Sequence, residues 1–595
     1  MTTVRGGGAT RRIALPRREA AGRWLRGSSS SLVPLAVGVG ALTGLGAVGF
    51  RALITLFTRM FTGYADYSGL GRVASAHWPA LGFWFLLLTP IVAGAVYGPI
   101  VYHFAPEARG HGVPEVMYAV TYKGGRIAPQ VTVVKALASA LCIGGGGSVG
   151  REGPIVQIGS AAGSTIAQIL RLDTPRVRLL VACGAAAGIS ATFNAPLAGP
   201  FFAMELILRD FAAESFGAVV LSSVTADVIG RAMLGDHPFL SLPTFAVHSS
   251  SEYLLYVLLG IVVGVVGVAF SKLLYVVEDA CDRLWHGPEW ARPAVGGIAL
   301  GALLIALPQM YGVGYPVLEN AVEGKYLVPM LLMLMAGKMF ATSLTIGIGG
   351  SGGVFAPTLF IGAMAGTAFG AIAHGVFPTL TESAGAYGLI GMGAALGGAT
   401  RAPITAVVIL FELTGEYSII LPLMAAVVMA AGTSHLLSKE TIYTAKLWRR
   451  GVDLNNPPTQ LPVFTAADIA RQAPDPLPED TALTAAATTL ATTGLGMAPV
   501  ADADGAYRGC VSIADIAEAL DDESPPPTVR SLVRHPTTIG ADAGPREILA
   551  ALTGHGGTGL PVLDHDQTAV IGWITYENVL ARMHPDIATP PRPTP

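Results

Sequence analysis

Charged side chains are scarce in this chain, since Asp, Glu, Lys and Arg make up only 13% of its 595 residues. Soluble globular proteins carry about a quarter of such residues, so the composition excludes an ordinary soluble protein. No His-Glu-x-x-His segment is present, which excludes the zinc-binding helix of an intramembrane metalloprotease. Cysteine is also rare, and its positions fit neither a disulfide framework nor a metal site: Cys142, Cys183, Cys281 and Cys510. We therefore predict no metal site and no enzymatic activity.

Apolar residues take the place of charge, and the mean hydropathy is +0.55. Glycine (74 residues) and proline (41 residues) are abundant, which membrane helices tolerate better than soluble ones. A membrane-spanning helix needs roughly 20 apolar residues. The longest apolar stretches are Leu32–Phe50, Pro79–Tyr102, Tyr253–Phe270 and Ile404–Leu437. Residues 31–450 are therefore predicted to form an all-α polytopic membrane domain, in which several helices are too short to cross.

The first 30 residues differ from the rest because they are basic. They carry one acid, Glu19, against seven arginines: Arg5, Arg11, Arg12, Arg17, Arg18, Arg23 and Arg26. A cleaved signal peptide is disfavoured, since the following apolar stretch leads into more membrane sequence without a clear cleavage site. A nucleic-acid-binding arm is the alternative. The positive-inside rule favours a cytoplasmic tail, and we expect no nucleic-acid partner.

The membrane region contains a duplication. Lys135 and the glycine-rich stretch GGGGSVGREGPIVQIGSAAG (144–163) recur 203 residues later as Lys338 and GIGGSGGVFAPTLFIGAMAG (347–366). A further pair is NAPLAGPFFAMEL (194–206) and RAPITAVVILFEL (401–413). We infer duplicated halves at roughly 31–235 and 250–450. Matching Gly- and Pro-interrupted apolar segments in two halves predict a transporter with its substrate site between them.

Glycine-rich backbone in a membrane survives only where it is buried in protein or lines a polar cavity. A glycine run that leads into a helix directs unpaired N–H groups and the positive end of the helix at that cavity. Several such ends together form an anion site without a cationic side chain. The alternative is that the glycines only allow close packing of helices, as small residues do in membranes. Two matched runs that each end in proline favour the anion site.

Glu152 lies within the first glycine run, where a carboxylate is costly and indicates a functional site. A carboxylate is an anion and can occupy the site that the substrate uses, whereas protonation removes its charge and vacates the site. The equivalent residue in the second half is Phe355, so the acid is not part of the duplicated scaffold. The alternative is an ion pair with Arg151 or another buried cation.

Residues 451–595 form a second, more polar region with its own repeat. MAPVADADGAYRGCVSIADI (497–516) matches GLPVLDHDQTAVIGWITYENV (559–579). These stretches resemble a tandem pair of CBS domains, a small α/β fold, at about 463–520 and 528–583. The resemblance implies an adenine-nucleotide site that uses Ser512 with Asp515, and Thr575 with Asn578. Asn578 departs from the family's aspartate, and the alternative is a structural dimerisation lid in which Ser512 and Asp515 cap a helix.

Three further stretches, Gly110-His111-Gly112-Val113-Pro114, Gly150-Arg151-Glu152-Gly153-Pro154 and Gly353-Val354-Phe355-Ala356-Pro357, resemble the signatures of the CLC chloride channel and transporter family. Tyr443 resembles its fourth ion-binding element. The resemblance covers nearly the whole chain beyond residue 30. It implies an inverted-repeat helical fold, a homodimer with one pathway per subunit, and cytoplasmic CBS domains on a protein of the cell (inner) membrane.

The resemblance also implies roles for individual residues. Glu152 matches the gating glutamate, and the anion is expected beside His111, Gly112, Gly150, Arg151, Gly153, Val354, Phe355 and Tyr443. The Arg151 side chain itself is interpreted as structural. His111 stands where the family usually has serine, and its imidazole either donates to the anion or turns away into a polar cap. If it faces the anion, protonation below about pH 6.5 would strengthen binding.

The predicted function is chloride transport gated by Glu152 and coupled to proton counter-transport, with no required cofactor. Many proton-coupled family members have an inner glutamate where this chain has Leu206, so a passive voltage- or pH-gated chloride channel is the alternative. Transport of another anion, such as nitrate or fluoride, also stays open. A CBS-bearing magnesium transporter would need acids along its pore, and a receptor built on a transporter fold would carry no anion flux.

Overall fold

The computed structural model describes residues 29–235, 251–381, 383–454, 464–493, 496–522, 524–535, 537–555, 559–564 and 569–583. The chain divides into two compact units, Met1–Pro457 and Pro458–Pro595. Nearly all of the predicted basic tail, residues 1–28, lies outside the described residues. The same is true of 236–250, between the predicted halves, and of 455–463, near the predicted start of the CBS pair.

All the regular elements in the described part of the first unit are helices. Its first half contains α1 (Leu32–Thr62), α2 (Phe85–Phe104), α3 (Val113–Tyr122), α4 (Gln130–Gly144), α5 (Glu152–Ile169), α6 (Thr174–Phe193), α7 (Ala198–Phe202, continued as a π-helix over Ala203–Leu208) and α8 (Ala213–Leu234). Its second half contains α9 (Glu252–Leu284), α10 (Arg292–Ala306), α11 (Tyr315–Val322), α12 (Val328–Gly347), α13 (Phe355–Val376), α14 (Ala384–Thr400), α15 (Pro403–Thr414) and α16 (Ile420–Leu437). The short α17 (Thr444–Trp448) follows.

Among the described residues, eight helices are long and apolar enough to cross a membrane. Others, such as the ten-residue α3 and the eight-residue α11, are too short, as the interrupted sequence predicts. The apolar stretch Ile404–Leu437 is not one helix. Gly415 adopts a left-handed conformation (φ 68°) that ends α15, because such a residue turns the chain out of the helix.

Two buried lysines fix equivalent loops in the two halves. Lys135 and Lys338 are fully buried, and each donates two hydrogen bonds of 2.8–3.0 Å to backbone carbonyls. The acceptors are Ala108 and Gly110 for Lys135, and Gly312 and Val313 for Lys338. A buried ammonium group is tolerated only when it is paired or hydrogen-bonded. Each lysine therefore ties the loop before a short helix, α3 or α11, to another helix of the same half, α4 or α12.

Two glutamates link the halves reciprocally. The carboxylate of Glu205, in the first half, accepts hydrogen bonds from the first turn of α15, and that of Glu412, in the second half, accepts them from the start of α7. The donors are the amides of Ile404 and Thr405 for Glu205, and those of Leu197 and Ala198 for Glu412. Carboxylates stabilise helix starts by satisfying unpaired N–H groups. Both acids thus have a structural role across the duplicated halves.

The second unit contains two three-stranded sheets with the same topology. Sheet order is β1 (Leu477–Pro478), β2 (Met497–Ala501), β3 (Tyr507–Ser512) in one, and β4 (Ile539–Gly540), β5 (Gly559–Leu563), β6 (Val570–Thr575) in the other. In each sheet the first pair is parallel and the second antiparallel. The helices are α18 (Ala466–Ile469), α19 (Leu483–Thr493), α20 (Ile513–Leu520), α21 (Pro545–His555) and α22 (Tyr576–Met583).

Each sheet has its own apolar core, but the chain crosses between them. Phe464, ahead of the first repeat, packs in the core of the second with Ile548 and Val562. Arg471 and Trp573 exchange two backbone hydrogen bonds of 2.9 Å. The segment that leads into the first repeat therefore completes the second. Together the two units confirm the predicted all-α membrane domain followed by a small α/β pair.

Cys510 provides a test of how tightly the first repeat is packed. Its thiol is buried next to the Tyr507 hydroxyl, 3.5 Å away, and burial raises its pKa to about 11. An exposed cysteine has a pKa of about 8.5. Because the thiolate is the reactive form, alkylation of Cys510 at pH 8 should be roughly a hundredfold slower in the native protein than in urea. Peptide-resolved mass spectrometry measures this rate, and fast native labelling would contradict the packing.

Candidate functional site

Three glycine-rich segments from the two halves meet in the membrane unit. Gly110 donates a backbone hydrogen bond of 3.0 Å to the carbonyl of Gly350. Gly150 and Gly353 exchange two, each of 2.7 Å. These non-helical segments satisfy one another as short β-bridges, which is how irregular backbone is tolerated at membrane depth.

Glycine is required where the segments cross. Gly112 precedes α3 with φ 86°, a conformation that side chains disfavour. A Cβ atom at this position would lie 2.7 Å from the carbonyl oxygen of Gly153. A Cβ atom at Gly153 would in turn collide with the carbonyl oxygen of His111. The predicted site residues His111, Gly112 and Gly153 are therefore in direct contact.

Glu152 is the first residue of α5, and its side chain is buried. One carboxylate oxygen accepts a hydrogen bond of 2.8 Å from the phenol of Tyr315, and the other accepts one of 3.3 Å from the backbone amide of Ala356. Ala356 lies in the first turn of α13, which is the counterpart of α5 in the second half. A carboxylate from one half therefore lies at the positive end of a helix from the other half.

The start of α13 has the chemical groups needed to bind a small anion. Amide groups in the first turn of a helix have no partner within the helix and carry partial positive charge. A negative group is stabilised there without a full counter-charge. Glu152 itself uses the amide that such an anion would need. Occupation by the carboxylate and by a free anion are therefore mutually exclusive at this position.

Arg151 does not pair with Glu152. Its guanidinium lies 5.3 Å from the ring centroid of Tyr315, and it donates a long hydrogen bond of 3.5 Å to the carbonyl of Thr192. Within the described part of the chain, Glu152 forms no salt bridge. The ion-pair alternative for Glu152 is therefore supported only by the charge of Arg151 acting at longer range. The Arg151 side chain packs against the ring of Tyr315, the residue that donates to Glu152.

His111 is fully buried, and neither ring nitrogen has a hydrogen-bond partner among the described residues. Its ring lies 6.3 Å from that of Tyr275, edge to face. The charged groups that act on the His111 imidazole are cations: Lys446, Lys135 and Arg450. A buried imidazole with two unsatisfied nitrogens is costly, so the position favours a polar or anionic partner. The described structure shows no hydrogen bond that would hold the His111 imidazole in a polar cap, as the alternative requires.

The remaining predicted anion-binding residues line the start of α13 and the end of the membrane unit. Val354 directly precedes α13, and Phe355 begins it; both are buried. The Phe355 ring packs 5.5 Å from that of Phe193. Tyr443 is buried immediately before α17, within electrostatic range of the Glu152 carboxylate.

Leu206 stands at the position of the inner glutamate that the family resemblance leads one to expect in a proton-coupled protein. It lines a cavity of about 310 Å³ together with Glu205, Arg209, Arg401 and Glu440. The carboxylate of Glu205 is held by the α15 cap described above. An apolar side chain therefore lies where a carboxylate would have faced the charged residues of this cavity.

Tyr315 was missed by the sequence analysis, although a signal for it exists. Gly-His-Gly-Val-Pro (110–114) recurs as Gly-Val-Gly-Tyr-Pro (312–316), at an offset of 202 and not 203. The glycine runs recur after 203 residues and the pair that begins at 194 and 401 after 207, so the offset varies along the duplication. The match places Tyr315 at the start of α11, in the position that Val113 holds at the start of α3.

In the second unit, the candidate nucleotide residues cap helices. Ser512 accepts a hydrogen bond of 3.1 Å from the amide of Asp515 and donates one of 2.6 Å to its carboxylate, which also pairs with Arg534 at 2.6 Å. Thr575 donates to the side-chain oxygen of Asn578 through both its hydroxyl and its amide, at 2.8 Å each. Both pairs close the first turn of the following helix, as the capping alternative expects.

Comparisons with known proteins agree with this architecture. The family described as "Voltage gated chloride channel" matches residues 93–435, and the CBS domain family matches 466–522 and 529–585. The H⁺/Cl⁻ exchange transporter ClcA of Vibrio campbellii is 34% identical over 434 residues, which are 71% of this chain and 90% of the relative.

Solved structures show the same similarity. A slow cyanobacterial Cl⁻/H⁺ antiporter aligns with a TM-score of 0.62 and 26% identity over 70% of this chain and 97% of its own. A eukaryotic CLC transporter aligns over 92% of this chain and 97% of its own, with a TM-score of 0.56 and 21% identity, which shows the fold alone. This chain is therefore a member of the CLC family of chloride channels and H⁺/Cl⁻ exchangers, a multi-pass membrane transport protein with two C-terminal CBS domains and not an enzyme.

Proposed function

We propose that this protein exchanges chloride for protons across the membrane and that Glu152 is its gate. The observation that carries the proposal is the hydrogen bond from the Ala356 amide to the Glu152 carboxylate, across the two halves. The relative from Vibrio campbellii and the cyanobacterial protein are both described as exchangers of chloride and protons. We further propose a homodimer with one pathway per subunit in the cell (inner) membrane, with the N-terminus and the CBS pair in the cytoplasm.

The gate works through charge. Ionised Glu152 occupies the start of α13 and blocks the anion path. When the carboxylate takes up a proton, it loses its charge and most of its attraction to the Ala356 amide, so chloride can take its place. When the proton leaves, the carboxylate returns and displaces the anion. One group thus alternates between binding a proton and blocking chloride.

The adjoining central site holds chloride with partial charges. The backbone amides of Val354 and Phe355, the Tyr443 hydroxyl and the His111 imidazole are its proposed donors, with Gly112, Gly150, Arg151 and Gly153 shaping the surrounding backbone. Such donors bind an anion well enough for entry and weakly enough for release. A directly coordinating Lys or Arg would hold it too tightly.

A passive chloride channel is the second candidate, and Leu206 favours it. An inner carboxylate could relay protons to Glu152, whereas leucine at this position cannot. If the protein is an exchanger, protons must therefore travel from the 310 Å³ cavity to Glu152 through water molecules. Simultaneous recording of chloride efflux and proton uptake in proteoliposomes separates the two functions, because a channel moves chloride without proton movement.

Glu152→Ala tests the gate. The variant should preserve or raise chloride flux, lose the pH dependence of that flux, and lose proton counter-flux, since the blocking and proton-carrying group is gone. Glu323→Ala, which removes an exposed acid paired with Lys325, is the control and should behave as the native protein. Loss of chloride flux in a folded Glu152→Ala protein would show that the carboxylate is structural.

His111→Ala and Tyr443→Phe test the central site. Each should weaken chloride binding measured by calorimetry by about 1.5–3 kcal/mol, the cost of losing a hydrogen bond to a charged group. Tyr311→Phe is the control, since its buried phenol donates to the Gly144 carbonyl at 2.6 Å. Unchanged chloride binding in His111→Ala would show that this imidazole does not face the ion.

We also propose that the CBS pair binds an adenine nucleotide. The binding residues would be Ser512 and Asp515 in the first repeat, and Thr575 and Asn578 in the second. Millimolar ATP should then raise the melting temperature of the full-length protein by mass action. Asp515→Ala should abolish the rise and Asn578→Ala should reduce it less. If ATP, ADP and AMP cause no change, the pairs act only as helix caps, with the Asp515–Arg534 ion pair closing the site.

A further inference from the structure

We propose that Tyr315 is a positioning residue that latches Glu152 in the anion path and sets how readily the gate opens. The inference rests on the proposed gating role of Glu152. Its basis is the 2.8 Å hydrogen bond from the Tyr315 phenol to the carboxylate. This bond and the one from the Ala356 amide engage one carboxylate oxygen each.

The backbone around Tyr315 is fixed in place, and it therefore fixes the position of the phenol. Tyr315 begins α11 directly after Gly314, whose φ of 93° makes the sharp entry to the helix. The carbonyls of the two preceding residues, Gly312 and Val313, both accept hydrogen bonds from the buried Lys338. Pro316 restricts the second position of the helix. The loop that carries Tyr315 is therefore held to α12, and the phenol has little freedom to follow a departing carboxylate.

The repeat shows that this contact is not part of the duplicated scaffold. The counterpart of Glu152 is Phe355, and the counterpart of Tyr315 is Val113. Neither counterpart can form a side-chain hydrogen bond. Donor and acceptor thus both depart from the repeat, and they do so as a pair. Packing of the two halves alone does not need a phenol at Tyr315.

Tyr315 also separates Glu152 from an open cavity. A cavity of about 450 Å³ is lined by Tyr315 together with Arg51, Arg151, Asp66 and Glu319, whereas Glu152 does not line it. The charged or titratable groups that act on Glu152 come from its own helix start and from three other elements: Arg151, Tyr315, Lys338 and Tyr443. Of these four groups, the Tyr315 phenol is the one whose side chain donates a hydrogen bond to the Glu152 carboxylate within the described residues.

A hydrogen bond to an ionised carboxylate is stronger than one to its neutral form. The phenol therefore favours the ionised, path-blocking state of Glu152. Removal of the hydroxyl should let chloride compete more effectively with the carboxylate and let protons open the gate at higher pH. Both effects arise from the loss of the same hydrogen bond to the carboxylate, so they should have the same size.

Tyr315→Phe in proteoliposomes and in calorimetry tests the latch. Chloride should bind about tenfold more tightly at pH 7.5, and the pH at half-maximal chloride flux should rise by about one unit, as expected for the loss of one charged hydrogen bond. Tyr311→Phe, four residues earlier and more deeply buried, should change neither. Tyr315→Leu makes the same test if the phenylalanine variant does not fold.

The Glu152→Ala background distinguishes the latch from the gate. If Glu152→Ala abolishes chloride flux, the proposed function itself fails. If Glu152→Ala behaves as a released gate, Tyr315→Phe should add nothing to it, because the acceptor is gone. A Tyr315→Phe protein with an unchanged pH midpoint, or with flux lowered equally at every pH, would overturn the latch and leave Tyr315 a packing residue.

Discussion

The candidate site depends on one contact between the halves of the membrane unit, in which the Glu152 carboxylate of the first half accepts hydrogen bonds from Ala356 and Tyr315 of the second. Ala356 donates its backbone amide from the first turn of α13, where the helix carries partial positive charge, and Tyr315 donates its phenol from the first residue of α11. A negative group is therefore stabilised between the halves without a bound cation. Because the native occupant is a titratable side chain, protonation can vacate the position. Under the proposed function, anion binding and proton binding are alternatives at this single site.

Irregular backbone at such a site must be held in place by other groups. Lys135 and Lys338 hold equivalent loops, one in each half, through pairs of carbonyl acceptors. Glu205 and Glu412 cap helices across the halves. The two lysines are fully buried, and each would cost several kcal/mol without such partners. Their repetition in both halves indicates a scaffold, whereas Glu152, which has no acidic counterpart, is where the scaffold departs from symmetry.

The duplication made much of this predictable from sequence. Glycine runs at equal spacing located the segments that meet, and the replacement of Glu152 by Phe355 in the second half singled out the acid. Tyr315 was not predicted, because its motif recurs at an offset one residue shorter and its contact spans 163 residues. Long-range partners of this kind are fixed by packing of distant helices, which local patterns do not encode.

Two further differences have local causes. Composition alone merged Ile404–Leu437 into one apolar stretch, since the left-handed turn at Gly415 depends on a single residue. In the CBS pair, the repeat identified Ser512 with Asp515 correctly as neighbours. The ion pair to Arg534 could not be foreseen, because Arg534 lies in the connection between the repeats and pairs with the strand of Cys510.

The most direct measurement of the central claim is anomalous diffraction from crystals grown in bromide, a chloride substitute that can be located by its scattering. The account predicts that bromide is excluded from the Ala356 amide in the native protein at neutral pH and occupies that position in Glu152→Ala. Bromide beside Ala356 in both proteins, or in neither, would contradict the claim that the Glu152 carboxylate and the transported anion compete for one site.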